Sequence, residues 1–162
     1  MSAISQLAWV VADLDAAESA LGSTYGVVAW TRIPEVHFGP DGCTHRGAPA
    51  DFVADISLAY AGELQLEIIR PVRGESIYTE FLATSGPGLH HTCREVDDLD
   101  AAVADAIAEG REVIQAGTMA GMRFAYVDLT ATGAGLIELA EIGSELVPFY
   151  DHIRARSEGR AA

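Results

Sequence analysis

Basic residues are scarce in this sequence. Ten Lys and Arg stand against 24 Asp and Glu over 162 residues, a formal net charge of −14. A nucleic-acid-binding protein needs a basic face toward phosphates, so no nucleic-acid partner is expected. The only basic cluster, Arg154, Arg156 and Arg160, reads as a solvated tail. Cysteine is scarce too. Cys43 falls in an expected loop and Cys93 in an expected strand, and two cysteines in a chain this long make no disulfide framework. Both are expected as reduced thiols. No run reaches the roughly 18–20 uninterrupted apolar residues of a membrane helix, so no membrane partner is expected. The N-terminus shows no basic stretch followed by an apolar run, so no signal peptide is expected and the cytoplasm is the default compartment.

The sequence does contain a repeat. Residues 6–17 read Q-L-A-W-V-V-A-D-L-D-A-A, and residues 91–102 read H-T-C-R-E-V-D-D-L-D-A-A. Each copy begins with a short strand, 4–11 or 89–96. An aspartate suited to helix capping follows, Asp13 or Asp98. Leu14, Ala17 and Leu21 then fall at helical spacing, as do Leu99, Val103, Ala106 and Ile107. Gly22 and Gly110 are expected to end these helices. Three strands follow each helix, near 26–33, 52–60 and 63–70, then near 111–116, 122–129 and 135–142. Pro71 is expected to stop the first set, and a short helix near 75–84 to link the halves. Residues 35–50 read as a Gly/Pro-rich insertion without period, and 144–158 as a C-terminal helix.

A module of about 60 residues buries too little surface to be secure alone. The expected fold is therefore α+β: two paired βαβββ modules forming a curled mixed sheet, a cup with helices outside. The whole chain, 1–162, forms one domain on this reading, with module one about 4–71, module two about 88–142 and the terminal helix about 144–158.

Polar residues interrupt apolar strands at matched places. Glu67 sits in L-Q-L-E-I-I and Glu138 in G-L-I-E-L-A. Strand side chains alternate faces. Leu66 and Ile68 therefore face the helices, and Gln65, Glu67 and Ile69 the concave side. On the opening strands Gln6 and His91 face the concave side, each seven residues before the capping aspartate. Arg94 falls on the helix-facing side, where an arginine is out of place. Buried carboxylates are costly without a cation. Two of them near an imidazole and an amide oxygen form an N/O donor set suited to a divalent ion such as Zn, Ni, Co, Mn or Fe.

The segments Q-L-A-W-V-V-A-D-L-D-A-A, L-Q-L-E-I-I-R-P, G-L-H-H-T-C-R-E-V-D-D-L-D-A-A and F-A-Y-V-D-L followed by L-I-E-L resemble the vicinal-oxygen-chelate superfamily, over about residues 4–142. This is also called the glyoxalase/bleomycin-resistance/dioxygenase fold. The H-H pair and following V-D-D-L-D-A-A are similar to methylmalonyl-CoA epimerases. The resemblance places the metal ligands at Gln6, Glu67, His91 and Glu138, a set similar to that of glyoxalase I, although that enzyme's other characteristic segments are absent. Epimerases carry glutamine where this chain has Glu67.

It further implies a divalent-metal-dependent isomerase, epimerase or glyoxalase-type lyase, acting by proton transfer through a metal-stabilised enolate on a small carbonyl substrate. Glu138 is the first candidate for the base and Glu67 the second. The alternatives are a non-catalytic small-molecule-binding protein of the resistance type, or an iron ring-cleaving dioxygenase. Gln6 departs from the dioxygenase ligand pattern. A homodimer is expected, with Leu146, Phe149 and Ile153 either at its interface or docked on the chain's own core. His37, His45 and Arg46 mark residues 35–50 as a candidate recognition rim.

Overall fold

Asp13 and Asp98 start the two module helices. Their carboxylates accept hydrogen bonds from Ala16 N at 3.1 Å and Ala101 N at 2.9 Å, satisfying amides that an N-terminus leaves open. The computed structural model describes residues 3–160. Its strands are β1 (Gln6–Val10), β2 (Thr31–Phe38), β3 (Cys43–His45), β4 (Ala48–Pro49), β5 (Phe52–Ala61), β6 (Leu64–Arg73), β7 (Gly88–Glu95), β8 (Glu112–Met119), β9 (Met122–Asp128) and β10 (Leu136–Ile142). Its helices are α1 (Leu14–Tyr25), α2 (Ile77–Ser85), α3 (Leu99–Ala108) and α4 (Val147–Ser157). None of the described helices is long and apolar enough to cross a membrane.

The ten strands form one mixed sheet in the order β2-β5-β6-β1-β7-β10-β9-β8-β3-β4. Module one is β1-α1-β2-β5-β6, and module two repeats it as β7-α3-β8-β9-β10. The halves join where β1 and β7 pair antiparallel. Residues 39–42 connect β2, at one end of the strand order, to β3 near the other. Five Cα steps of 3.8 Å span at most roughly 19 Å, so the sheet must curl back on itself.

Face assignment follows the alternation read from sequence. Ile68, Trp9 and Val11 pack with Leu14 and Leu21 of α1, and Leu139, Val127 and Ala125 with Leu99 and Ala106 of α3. The two module helices thus lie outside. The other two close the inner face. Ile77 and Tyr78 of α2 pack among Val10, Ile69, Phe52 and Phe124. Ile153 of α4, fully buried, packs on Leu58 and Tyr60.

Several boundaries differ from the sequence reading. Gly22 does not end α1, which runs to Tyr25 and is closed by Gly26 in the left-handed conformation. Gly22 is there for proximity: an added Cβ would come within 3.3 Å of Trp30 Nε1. The next strand consequently begins at Thr31 rather than near 26.

The 35–50 segment is not an irregular insertion. It holds the end of β2 and the hairpin β3–β4, and β3 pairs with β8. The periodicity was invisible because these strands are two and three residues long. Gly117 on β8 admits this hairpin, since a Cβ there would meet Cys43 Sγ at 2.7 Å and the Phe124 ring at 2.5 Å.

Pro71 does not stop β6, which continues to Arg73. The pairing with β1 ends at Ile69, so Pro71 sits where β6 has become an edge. Nor are the C-terminal arginines merely solvated. Arg154 lies over the Tyr60 ring at 4.0 Å and donates to Gly62 O at 3.0 Å, while Arg156 donates to Trp30 O at 3.4 Å. Cys43 and Cys93 are both free and buried.

Candidate metal centre

Sheet register sets the donors in two rows across the inner face. One row runs Gln65, Gln6, Cys93, Glu138, and the next runs Glu67, Ala8, His91, Leu136. Opposed residues in paired strands share a face. Glu67, His91 and Glu138 therefore converge, and one ligand atom from each lies within 4.8 Å of the others. His91 Nε2 is 3.3 Å from Glu138 and 3.7 Å from Glu67. Gln6 lies in the adjoining row and is buried. Its Nε2 donates to Gln65 Oε1 at 2.7 Å, and Gln65 in turn donates to the Tyr60 hydroxyl at 3.0 Å. This chain leaves Gln6 Oε1 buried without a partner.

The electrostatics fit a cation. Burial, and then the charge of Glu138, push the Glu67 carboxyl well above the ordinary carboxylate range. Two acids in one enclosed site resist joint ionisation unless positive charge compensates. His91 Nε2 is likewise buried without a hydrogen-bond partner. His91 Nε2, unpartnered beside two carboxylates, makes with them a donor set that suits a divalent ion, and the buried, unpartnered Gln6 Oε1 belongs to the adjoining register row. The residues present fit the group that the sequence pattern implies.

Several residues around the centre were not assigned from sequence. Tyr126 sets its ring edge against His91 at a centroid distance of 4.9 Å, and its hydroxyl lies 2.7 Å from that of Tyr78. Burial pushes both phenols well above their ordinary range, so they stay protonated. Burial also pushes the Cys93 thiol far up, with the charge of Glu138 next in effect. Cys93 is therefore a neutral wall between Gln6 and Glu138 rather than a nucleophile. Burial, and then His91, hold His90 at a pKa of about 3, a neutral imidazole. Gln65 was legible: it stands two residues before Glu67 on the same strand face.

The centre opens at the Gln6 end of the sheet. A cavity of about 80 Å³ reaches Gln6 and Glu138 past Tyr60, Tyr150 and Arg154. At the other end α2 and the rings of Phe52, Phe124 and Tyr126 fill the inside of the cup. The candidate rim residues do not line this opening. His37 pairs with Asp51 at 2.8 Å, and both His45 (3.1 Å) and Arg46 (2.8 Å) pair with Glu80. Arg94 is exposed, at a separate open cleft of about 700 Å³ beside α3. That location removes the conflict of an arginine on a helix-packed face.

Residues 5–126 match the family model described as Glyoxalase/Bleomycin resistance protein/Dioxygenase superfamily. Among solved structures, the chain is similar to methylmalonyl-CoA epimerase from Mycobacterium tuberculosis. The identity is 23%, the TM-score 0.64, and 90% of this chain and 91% of that one are covered. A hypothetical protein from Bacillus halodurans C-125 matches at 17% identity and TM-score 0.64, covering 86% and 94%. A variant of the Streptomyces coelicolor methylmalonyl-CoA epimerase in complex with 2-nitronate-propionyl-CoA matches at 22% identity and TM-score 0.58, covering 89% and 99%. At these identities the likeness is one of fold. No curated protein sequence matches the chain.

Proposed function

The chain belongs to the glyoxalase/bleomycin resistance protein/dioxygenase superfamily, and on that footing we propose that it is a divalent-metal-dependent isomerase, epimerase or glyoxalase-type lyase that moves a proton beside a carbonyl in a small substrate. The observation that carries this reading is the buried convergence of Glu67, His91 and Glu138. Gln6, Glu67, His91 and Glu138 would hold the metal. When bound, it would supply Lewis acidity to a pair of neighbouring substrate oxygens.

The protein's own groups do the rest. Glu138 lines the opening, so a substrate entering past Tyr60 and Tyr150 meets that carboxylate first. Glu138 is the candidate base, and Glu67, which does not line that opening, the second. The aromatic packing behind His91 excludes water from the far side. The narrow opening selects for a substrate whose reacting end is small. A homodimer is part of this proposal, but Phe149, Tyr150 and Ile153 of α4 pack on the chain's own sheet rather than on a partner. A monomeric mass across micromolar concentrations would remove the dimer.

The decisive experiment has two parts. Metal analysis of purified protein should find close to one divalent ion per chain. Incubation with a panel of small carbonyl compounds in deuterated water should show protein-dependent exchange of the proton next to the carbonyl. Bound metal without exchange on any compound would leave a binding protein of the resistance type. Absence of metal affinity would end the metal reading itself.

A further inference from the structure

Where β1 and β7 pair, β7 contains one residue more. Ala8 stands opposite His91 and Trp9 opposite Leu89, so His90 is the extra residue of a β-bulge. Bulges re-aim side chains beside functional sites. Here both imidazoles turn inward, His90 at 6% and His91 at 2% exposure. Their Nδ1 atoms lie 2.8 Å apart. Two ring nitrogens at that distance share one hydrogen, one donating and the other accepting. The opposite nitrogen of His91, Nε2, faces Glu138 and Glu67. A nitrogen that ligates a cation must present a lone pair, which leaves the hydrogen of His91 on Nδ1.

We infer that His90 is a positioning residue, whose Nδ1 accepts the Nδ1–H of His91 and so fixes the tautomer that aims a free Nε2 lone pair between Glu67 and Glu138. The inference rests on the metal reading given above. Metal-ligating histidines usually donate this second hydrogen to a carboxylate, a backbone carbonyl or water. A neutral imidazole does the same work without adding a third negative charge beside two buried acids. The arrangement has a cost that marks it. His90 then keeps its own hydrogen on Nε2, and that atom is buried without a well-aligned hydrogen bond, the ring's remaining polar contact being to the backbone of Ile77. Shape also holds the ring, with the rings of Phe81 at 4.9 Å and Tyr78 at 5.4 Å edge-on to it.

The test combines Zn²⁺ titration with ¹H–¹⁵N spectra of the histidine rings, on the parent, His90→Phe and His90→Asn. Phenylalanine keeps a ring and removes the acceptor. Asparagine returns an acceptor oxygen near the Nδ1 position. In the zinc-loaded parent, His91 should carry its hydrogen on Nδ1 and His90 on Nε2. Zinc affinity should fall about 10–100-fold in His90→Phe, the usual cost of losing such a partner, and recover most of that loss in His90→Asn. Three results would overturn the assignment: parent-like affinity in His90→Phe, no recovery in His90→Asn, or an unprotonated Nδ1 on His91 in the loaded parent. If His90→Phe fails to fold, the spectrum of the loaded parent decides. A parent that binds no zinc sinks the metal reading instead. Its metal-free spectrum still reports the pair, and absence of a protected Nδ1–H between the rings would overturn the pairing too.

Discussion

Modules one and two follow one plan, yet they contribute unequally to the proposed centre. At equivalent strand positions module one supplies Gln6 and Glu67, and module two supplies His91 and Glu138. Glu138 borders the opening, and Glu67 does not line it. Module one's inner face is covered by α4, through Ile153, Phe149 and Tyr150. The helix α2 and its aromatic cluster cover the other end of the cup and draw on both modules, through Phe52 and Ile69 of the first and Phe124 and Tyr126 of the second. The bulge that adds His90 is found in β7 and has no counterpart in β1. The repeat sets where donors stand. The unrepeated parts decide how they are aimed and which end of the cup stays open.

The sharpest way to test that inequality is to neutralise each acid in turn. Glu138→Gln keeps shape and an oxygen donor but removes basicity. Proton exchange on a responsive substrate should drop by about 10²–10⁴, the usual contribution of a positioned base, with metal partly retained. Glu67→Gln should cost much less exchange. Equal losses from both variants would abolish the distinction between the modules.

The opening strands allow a second comparison. His91→Ala should weaken metal binding by more than the roughly 10–100-fold typical of outer partners, since it deletes a proposed ligand and leaves two buried acids facing each other. Gln6→Ala, its counterpart in module one, removes only a neutral amide oxygen and should cost about tenfold. Competition with a chromogenic chelator measures both. If Gln6→Ala costs as much as His91→Ala, the two modules bind the ion as equals.

The covering elements can be separated from the centre. Ile153→Ala opens a cavity between α4 and β5 and should lower stability by about 2–5 kcal/mol, read from the denaturant midpoint. Metal affinity should change little, because Ile153 packs in the apolar cluster with Leu58 and Tyr60. A large loss of affinity would make α4 part of the centre.

How much of this was readable before the fold was known divides along the same line. The capping aspartates, the face of each central strand and the donor positions follow from the repeat and from alternation. Both are local properties of strands five to ten residues long. What escaped depends on contacts distant in sequence. Gly22 looks like a helix stop until Trp30 is seen against it. Pro71 looks like a strand stop until β1 is seen to end at Ile69. Strands β3 and β4 are too short to show a period, and they exist because β8 offers an edge. The role of His90 was hidden because a one-residue bulge leaves no trace in a sequence whose neighbouring residues are both histidine.

The smallest effect concerns the outer strands. Both β2 and β8 break register against their partners, between Ile33 and Val36 in one and between Val113 and Gln115 in the other. In module two the buried Ile114 fills that place. In module one a charge does it. Glu35 takes a left-handed backbone, φ 53°, and its N–H donates to Asp55 at 2.8 Å. Arg70 pairs with the same carboxylate, its Nε at 3.0 Å. The Glu35 amide first, and Arg70 after it, hold the Asp55 carboxyl below its ordinary value of 3.8. A carboxylate with a lowered folded pKa contributes stability that is present above the unfolded value and is lost as pH falls through the folded one. The contribution of Asp55 should therefore be present above about pH 4 and be lost progressively below it, as pH falls through the lowered folded value. Asp55→Asn keeps an acceptor for Glu35 but loses the charge, so it should destabilise by about 1 kcal/mol at neutral pH and by nothing in strong acid. Thermal midpoints of parent and variant should converge as pH is lowered. A gap that stays constant down to the acid limit would mean that shape, and not charge, holds the outer strand of module one, as it does in module two.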